Sequence, residues 1–502
     1  MNDPSLAELI SRLKRADLHA SVFSLLQWDE QVNLPPDSGD RRAEQLALLA
    51  ELHHRATTDP SIGAVLDRLE ARRAELASDE QVIVRYARRD YDRATKLPRE
   101  FVAAKAALES EAFHAWREAR ATSNFPKFAP LLVRQLETAR REAEYVGWGD
   151  RPYDYCIDRH DPGMTAADIV ELFDELKRGL VPLVQQITSA AASLPRPVAL
   201  RGFPRAAQQT FLHEVTTALG FNYCRGRIDT AVHPFCSGDA ADTRMTTRFN
   251  EDDPLDALFS SIHETGHGLY EQGLPLEHLG TALGQTVGMA VHESQSRLWE
   301  NQVGRSRSFW QHFEPKLRGL FPAPLAAITS DQLYRAINEV RPSLIRVDAD
   351  EVTYNLHILL RFELERRMFA GELLVADLPA AWNELSRALL GLVPANDAEG
   401  VLQDVHWSGG AFGYFPSYCL GNMIAAQLWA TVQREHPAVE NDFARGDFGP
   451  LLQWLRENVH RQGRRFDTRE LVRKITGEAI SPTHLLTYLR ERYGKIYLPA
   501  TR

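Results

Sequence analysis

Cysteine is scarce, with four in 502 residues, and Cys156, Cys224, Cys236 and Cys419 form no CxxC pair. That excludes a disulfide framework and a cysteine-rich metal site, and reads instead as reduced thiols in an intracellular, cytoplasmic protein. No run of 18 or more apolar residues occurs, so no membrane span is expected. The first residues, MNDPSLAELISRLKRAD, lack the basic region, apolar stretch and small-residue cleavage site of a secretory signal. An excess of basic charge is also missing. Lys and Arg number 58 against 68 Asp and Glu, a formal net charge of -10, which argues against a nucleic-acid or anionic-membrane binder. Internal repeats and low-complexity linkers are absent too, and nothing marks a domain boundary.

What is present is ordinary globular composition, 44% hydrophobic and 25% charged, with helical periodicity over most of the chain. Leu6, Ile10 and Leu13 fall on one helical face, as do Leu46, Leu49 and Leu52. Good helix formers dominate residues 41–88 and 100–143, and residues 165–194 and 205–219 read as two more helices. Pro35 to Gly39 is a turn cluster. Between 221 and 250 the character changes. Residues 221–224 and 244–249 have strand-like content, and a small antiparallel sheet is expected there. Helical pattern resumes at Pro254 and is broken by the Gly- and aromatic-rich stretch 400–421. The expectation is one large, mainly α domain over residues 1–502 with a minor sheet.

His263-Glu264-Thr265-Gly266-His267 matches H-E-x-x-H. On a helix, residues four apart share a face with Cβ atoms about 5–6 Å apart, which lets two imidazoles reach one metal ion. Glu264 follows the first of them, where it is placed to hold a water at the metal as general base. The context is helical, with Asp253 as N-cap, Pro254 in the first turn, an apolar stripe at Leu255, Leu258, Ile262 and Leu269, and Gly273 and Pro275 as stop signals. The extended H-E-x-x-H-x-x-G-x-x-H pattern is excluded, because Tyr270 and Gly273 stand where it needs Gly and His. A Glu from a following helix, read from about Leu283 to Gln302, is the other solution for a third ligand. Glu293 is the choice by position, with His292 and Glu300 as competitors.

At this point the chain resembles the carboxypeptidase Taq family of metallocarboxypeptidases. That family couples H-E-x-x-H to a later H-E-S-Q, and His292-Glu293-Ser294-Gln295 fits. His233-Pro234-Phe235 matches H-P-F, and Asp242 to Thr246 matches D-x-R-x-T. Ile345 to Asp350 matches I-R-x-x-A-D, and Gly400 to Trp407 matches G-x-x-Q-D-x-H-W. Leu26-Gln27-Trp28-Asp29 followed by Pro35-Pro36 looks like the family's start, so the resemblance spans nearly the whole chain. It implies a helical fold with a deep narrow groove, shared with neurolysin-like peptidases. It also implies a divalent metal (zinc, or cobalt in some members) with Glu293 as third ligand, removal of C-terminal residues from peptides, and a homodimer.

The remaining motifs read as substrate chemistry. An enzyme acting on a free C-terminus needs a fixed cation for the carboxylate, and Arg346 suits this by its place in I-R-x-x-A-D, unless it pairs with Asp348, Asp350 or Glu351. Arg244 is a second candidate, or else braces the hairpin with Asp242 and Thr246. His406, Tyr418 and Tyr414 lie in a Gly-broken aromatic segment and supply donors for a developing oxyanion. Asp404 is a partner for His406 or for a ligand histidine. His233 is expected at the groove end. The rival readings are an endopeptidase or dipeptidyl-carboxypeptidase on the same fold, and an inactive helical binding scaffold.

Overall fold

The computed structural model describes residues 3–498. Helices α1 (Pro4–Val32), α2 (Gly39–Thr57), α3 (Pro60–Glu70), α4 (Ser78–Lys96), α5 (Arg99–Ala121), α6 (Phe125–Val146), α7 (Pro152–His160), α8 (Ala166–Ala192) and α9 (Arg205–Ala218) precede the sheet. Three short strands follow, β1 (Gly226–Thr230), β2 (Phe235–Gly238) and β3 (Thr243–Thr247). After them come α10 (Pro254–Gly273), α11 (Met289–Arg297), α12 (Arg307–Leu320), α13 (Pro322–Leu325), α14 (Ser330–Ile337), α15 (Tyr354–Ala370) and α16 (Leu378–Leu390). The chain finishes with α17 (Phe415–Glu435), α18 (Val439–Ala444), α19 (Gly449–Asn458), α20 (Thr468–Thr476) and α21 (Thr483–Tyr497). No helix among the described residues is long and apolar enough to cross a membrane.

Local chemistry explains many of the boundaries. Proline occupies the first turn of α1, α3, α6, α7, α10, α16 and α17, where its missing N–H costs no hydrogen bond. Reciprocal capping boxes open α8 (Thr165 with Asp168) and α20 (Asp467 with Glu470). Asp253 sits at the N-cap position of α10, as the sequence suggests.

The strand pairing and three boundaries depart from the sequence reading. The sheet is mixed: β2 pairs antiparallel with β3, but β1 pairs parallel with it, because β3 lies between the other two. Residues 221–224 form a turn, in which the Asn222 side chain accepts from Cys224 N at 2.9 Å, and the strand starts two residues later. The second helix of the metal region starts at Met289 rather than near Leu283, where only a short 3₁₀ turn forms. The aromatic break ends at Tyr414, and α17 runs straight through Gly421.

One continuous apolar core draws on residues from Ala112 to Tyr497. A smaller cluster joins Leu6 and Leu9 of α1 to Ile62, Val65, Leu66 and Leu69 of α3 and Val84 of α4. The α1 end is pinned to the sheet by Trp28, whose ring lies under Arg244 (4.4 Å) and Arg227 (5.0 Å). Asp29 beside it binds Arg42 of α2 at 2.5 Å. The four cysteines are free thiols, Cys156 and Cys419 buried, Cys236 half-buried and Cys224 exposed.

Glu365 of α15 organises the aromatic segment from within the core. Its carboxylate accepts from Trp407 Nε1 (2.7 Å), Gly413 N (2.9 Å) and Tyr153 OH (3.0 Å). Burial pushes its pKa up to about 7 despite those three donors. Glu365→Leu strands three buried donors, so a loss of about 3 kcal/mol or more in unfolding free energy is expected. Urea unfolding of the variant beside wild type measures it.

Candidate metal centre

His263 and His267 project from α10, and Glu293 reaches them from α11. Glu293 Oε2 lies 3.6 Å from His263 Nε2 and 3.5 Å from His267 Nε2. One ligand atom from each of the three lies within 4.8 Å of the others. Two imidazole nitrogens and one carboxylate oxygen converging in this way form a donor set that suits a divalent metal ion. Two glycines make the convergence sterically feasible. A Cβ at Gly266 of α10 would sit 2.5 Å from Ser296 Cα, and one at Gly421 of α17 would sit 2.6 Å from Glu293 Cγ. Any larger residue would push α11 away from the histidines or from α17.

Each histidine is oriented through its other nitrogen. His263 Nδ1 meets Glu300 Oε2 at 2.9 Å. His267 Nδ1 meets His292 Nδ1 at 2.5 Å, and His292 Nε2 meets Glu271 Oε1 at 2.8 Å. Both rings therefore turn Nε2 toward Glu293. Glu300, a competitor for third ligand on sequence grounds, is thus an outer partner. It lies in a π-helical widening of the chain over Leu298–Val303, a feature frequent at functional sites. Arg297 ties the acids together, donating to Glu293 Oε1 (2.7 Å) and Glu300 Oε2 (3.1 Å), and Arg305 donates to Glu300 Oε1 (3.3 Å). Burial would raise the Glu293 carboxyl, but Arg297 and the two histidines hold it far below the usual range. Burial, with the neighbouring histidines, pushes His267 down to about 3, toward the neutral form that a metal requires.

Glu264 differs from these acids. It is 8% exposed, yet its carboxylate makes no hydrogen bond or ion pair to another side chain among the described residues. Burial pushes its pKa up to about 7, with His263 opposing. It is a carboxyl group with no side-chain partner among the described residues, next to the convergent ligand set.

A second cluster stands beside the first. Arg346, 7% exposed, donates through Nε to Asp404 Oδ1 (2.9 Å) and through Nη1 to Tyr354 OH (3.1 Å). Asp404 also accepts from Arg361 Nε at 2.7 Å, so it orients Arg346 rather than His406 or a ligand histidine. None of the sequence alternatives pairs with Arg346: Asp350 accepts from Val352 N and Thr353, Glu351 from Tyr493 OH, and Asp348 is exposed without an ion pair among the described residues. Arg297 stacks over the Tyr354 ring at 4.4 Å, linking the two clusters. His406 Nε2 and Tyr418 OH lie 3.3 Å apart, and the Tyr414 and Tyr418 rings are 5.3 Å apart. Burial pushes His406 down to about 4 and Tyr414 up to about 12, so both are neutral at pH 7.

Two other sequence candidates are tied elsewhere. Arg244 forms a pair with Asp242 (2.8 Å) and stacks on Trp28, the bracing role. His233 is exposed on the β1–β2 link, and its carbonyl accepts from Thr246 Oγ1 at 3.0 Å. Sequence reasoning missed Tyr354, Arg361 and Arg297. The available signal was their spacing: Tyr354 and Arg361 lie seven apart on one helical face, and Arg297 follows Glu293 by four.

Removing the acceptor for His263 should loosen metal binding without removing a ligand. Glu300→Gln is expected to weaken metal affinity roughly 10- to 100-fold. Competition with a metal-sensitive fluorescent chelator reads this without recourse to activity.

Comparison with known proteins agrees with the geometry. Residues 8–493 match the family described as Carboxypeptidase Taq (M32) metallopeptidase. Thermostable carboxypeptidase 1 of Thermus thermophilus is 44% identical over 490 residues, covering 95% of this chain and 96% of that one. Carboxypeptidase 1 of Bacillus subtilis is 37% identical over 492 residues, covering 98% of each. The crystal structure of the M32 carboxypeptidase from Deinococcus radiodurans superposes with a TM-score of 0.95 at 42% identity, covering 99% of this chain and 100% of that one. The chain belongs to the carboxypeptidase Taq (M32) family of metallopeptidases.

Proposed function

We propose that this metallocarboxypeptidase hydrolyses single residues from the free C-terminus of peptides with broad specificity, working as a single domain over residues 1–502. The observation that carries the reading is the unpartnered, buried Glu264 carboxylate beside the His263, His267 and Glu293 ligand atoms. In this reading those three residues hold zinc, with cobalt as the alternative ion. Such an ion, when bound, acts as a Lewis acid toward the scissile carbonyl and lowers the pKa of water.

The chain's own residues do the rest. Glu264 takes a proton from the attacking water as its oxygen bonds to the carbonyl carbon. It returns that proton to the amine nitrogen as the C–N bond breaks. Tyr418, with His406 and Tyr414 behind it, donates toward the oxyanion. Arg346 holds the terminal carboxylate. Its Nε and Nη1 are taken by Asp404 and Tyr354, and Nη2 makes no hydrogen bond among the described residues. That geometry favours an exopeptidase over an endopeptidase, since a cation fixed near the ligand set sets the distance from cut to terminus. His233 and Arg244 would act only at the margin of substrate binding. A cytoplasmic homodimer acting on peptides, without nucleic acid or membrane, completes the proposal.

Mass spectrometry of a peptide and its C-terminal amide, each with and without chelator, tests it. Stepwise loss of single residues is expected only from the free acid and only without chelator. Internal or two-residue cuts would overturn the exopeptidase assignment and Arg346's role, and absence of metal in protein purified without chelator would favour the inactive scaffold. Glu264→Gln should retain metal, checked by elemental analysis, and lose at least about 100-fold in kcat. Near-normal turnover in the loaded variant would reject Glu264 as the base.

A further inference from the structure

At the C-terminal end of α10, a cleft of about 520 Å³ opens between its last residues and the last turn of α19 with the segment that follows it. Its charged lining comprises Arg225, Arg456, Arg461, Arg465, His278 and Glu277. Arg465 is neutralised by Asp79, with Nε to Oδ1 at 2.8 Å and Nη2 to Oδ2 at 2.7 Å. Arg225 donates only to the uncharged carbonyls of Ala240 (3.0 Å) and Gln272 (3.4 Å). Arg456 and Arg461 form no ion pair with any described residue, and Arg456 Nε is buried without a hydrogen-bond partner. Glu277 is the one acid in the lining, and it too forms no ion pair among the described residues. Three unpaired guanidinium groups thus face one another in a protein whose net charge is -10. Burial, then repulsion from Arg225 and Arg461, pulls Arg456 below its ordinary value.

Gathering like charges in a partly enclosed cleft is unfavourable unless a counter-charge is supplied there. Guanidinium groups match planar or tetrahedral oxyanions bidentately, and several converging forks select for more than one anionic group. From these contacts we propose that the cleft is a binding site for a compact multivalent anion built of phosphate or carboxylate groups. The site is separate from the metal centre and shares no residue with it. Its wall is nonetheless the last turn of the helix bearing His263 and His267, and His460 behind Gly273 bonds Gln295 of α11 at 3.1 Å.

Calorimetric titration of inorganic pyrophosphate, and separately of citrate, into the metal-loaded full chain tests the site. The Arg456→Gln and Arg456→Gln/Arg461→Gln variants run in parallel, with metal content checked after each titration. Saturable one-to-one binding is expected, weakened by added salt and by about tenfold or more for each arginine removed. Thermal melts show whether the variants fold, and Arg461→Gln alone, at an exposed position, serves if the double variant does not. Peptide hydrolysis by Arg456→Gln should match wild type. Binding of pyrophosphate alone would identify a phosphate ligand, and binding of citrate alone a carboxylate one. No binding of either anion overturns the proposal, as does equal binding by wild type and the double variant, which would locate the anion at the metal centre.

Discussion

The site depends on how closely three helices approach one another. Glu293 has to come within 4 Å of imidazoles on α10 while its own backbone lies against α17. Only two positions without a Cβ, Gly266 and Gly421, let both contacts exist at once. Once α11 is seated there, the rest of the ligand set follows from side-chain chemistry. A buried carboxylate without cationic company would take up a proton or force the helix away. Arg297, donating to Glu293 and Glu300 together, keeps both acids ionised.

From that guanidinium a chain of contacts runs outward to the residues proposed to bind substrate. Arg297 stacks on Tyr354, Tyr354 accepts from Arg346, and Arg346 and Arg361 share Asp404. Tyr354, Arg346 and Arg361 are buried, Arg297 and Asp404 are half-buried, and each has a partner that fixes its orientation. Arg346 and the His263, His267 and Glu293 cluster are therefore parts of one network, and their separation is set by packing rather than by a flexible loop. Asp161 adds a further tie at the start of α11. It is 1% exposed and accepts from Ala290 N (2.7 Å) and Ser417 Oγ (2.5 Å), joining α11 to α17 beside Tyr418. Burial pushes its pKa up to about 6, the direction expected of an acid satisfied by neutral donors.

The helices were legible because their signals are local. Periodic leucines, first-turn prolines and capping boxes act within a few residues, so α8, α9 and α10 lie close to where the pattern places them. The sheet was legible in location and not in pairing, since which strand inserts between the other two is decided by long-range packing. The stretch up to Gly421 looked like continuous irregular chain because glycine weakens a helical pattern. Its place inside α17 makes sense only once Glu293 is seen packed against it. The motif singled out Arg346, but its neighbours in sequence were the wrong partners. Asp404, 58 residues away, holds it instead.

By itself the sequence determined the helical class, the histidine pair on one face of α10 with an acid beside it, and the family motifs, because these rest on spacing within a helix and on residue chemistry. Only the tertiary structure decided that Glu300 and His292 orient the histidines, that Arg244 braces Trp28, and that Asp404 is committed to two arginines. Those choices turn on distances of a few ångströms between elements far apart in the chain. Such distances are set by how side chains of different helices fill shared space, which residue spacing along one helix does not encode.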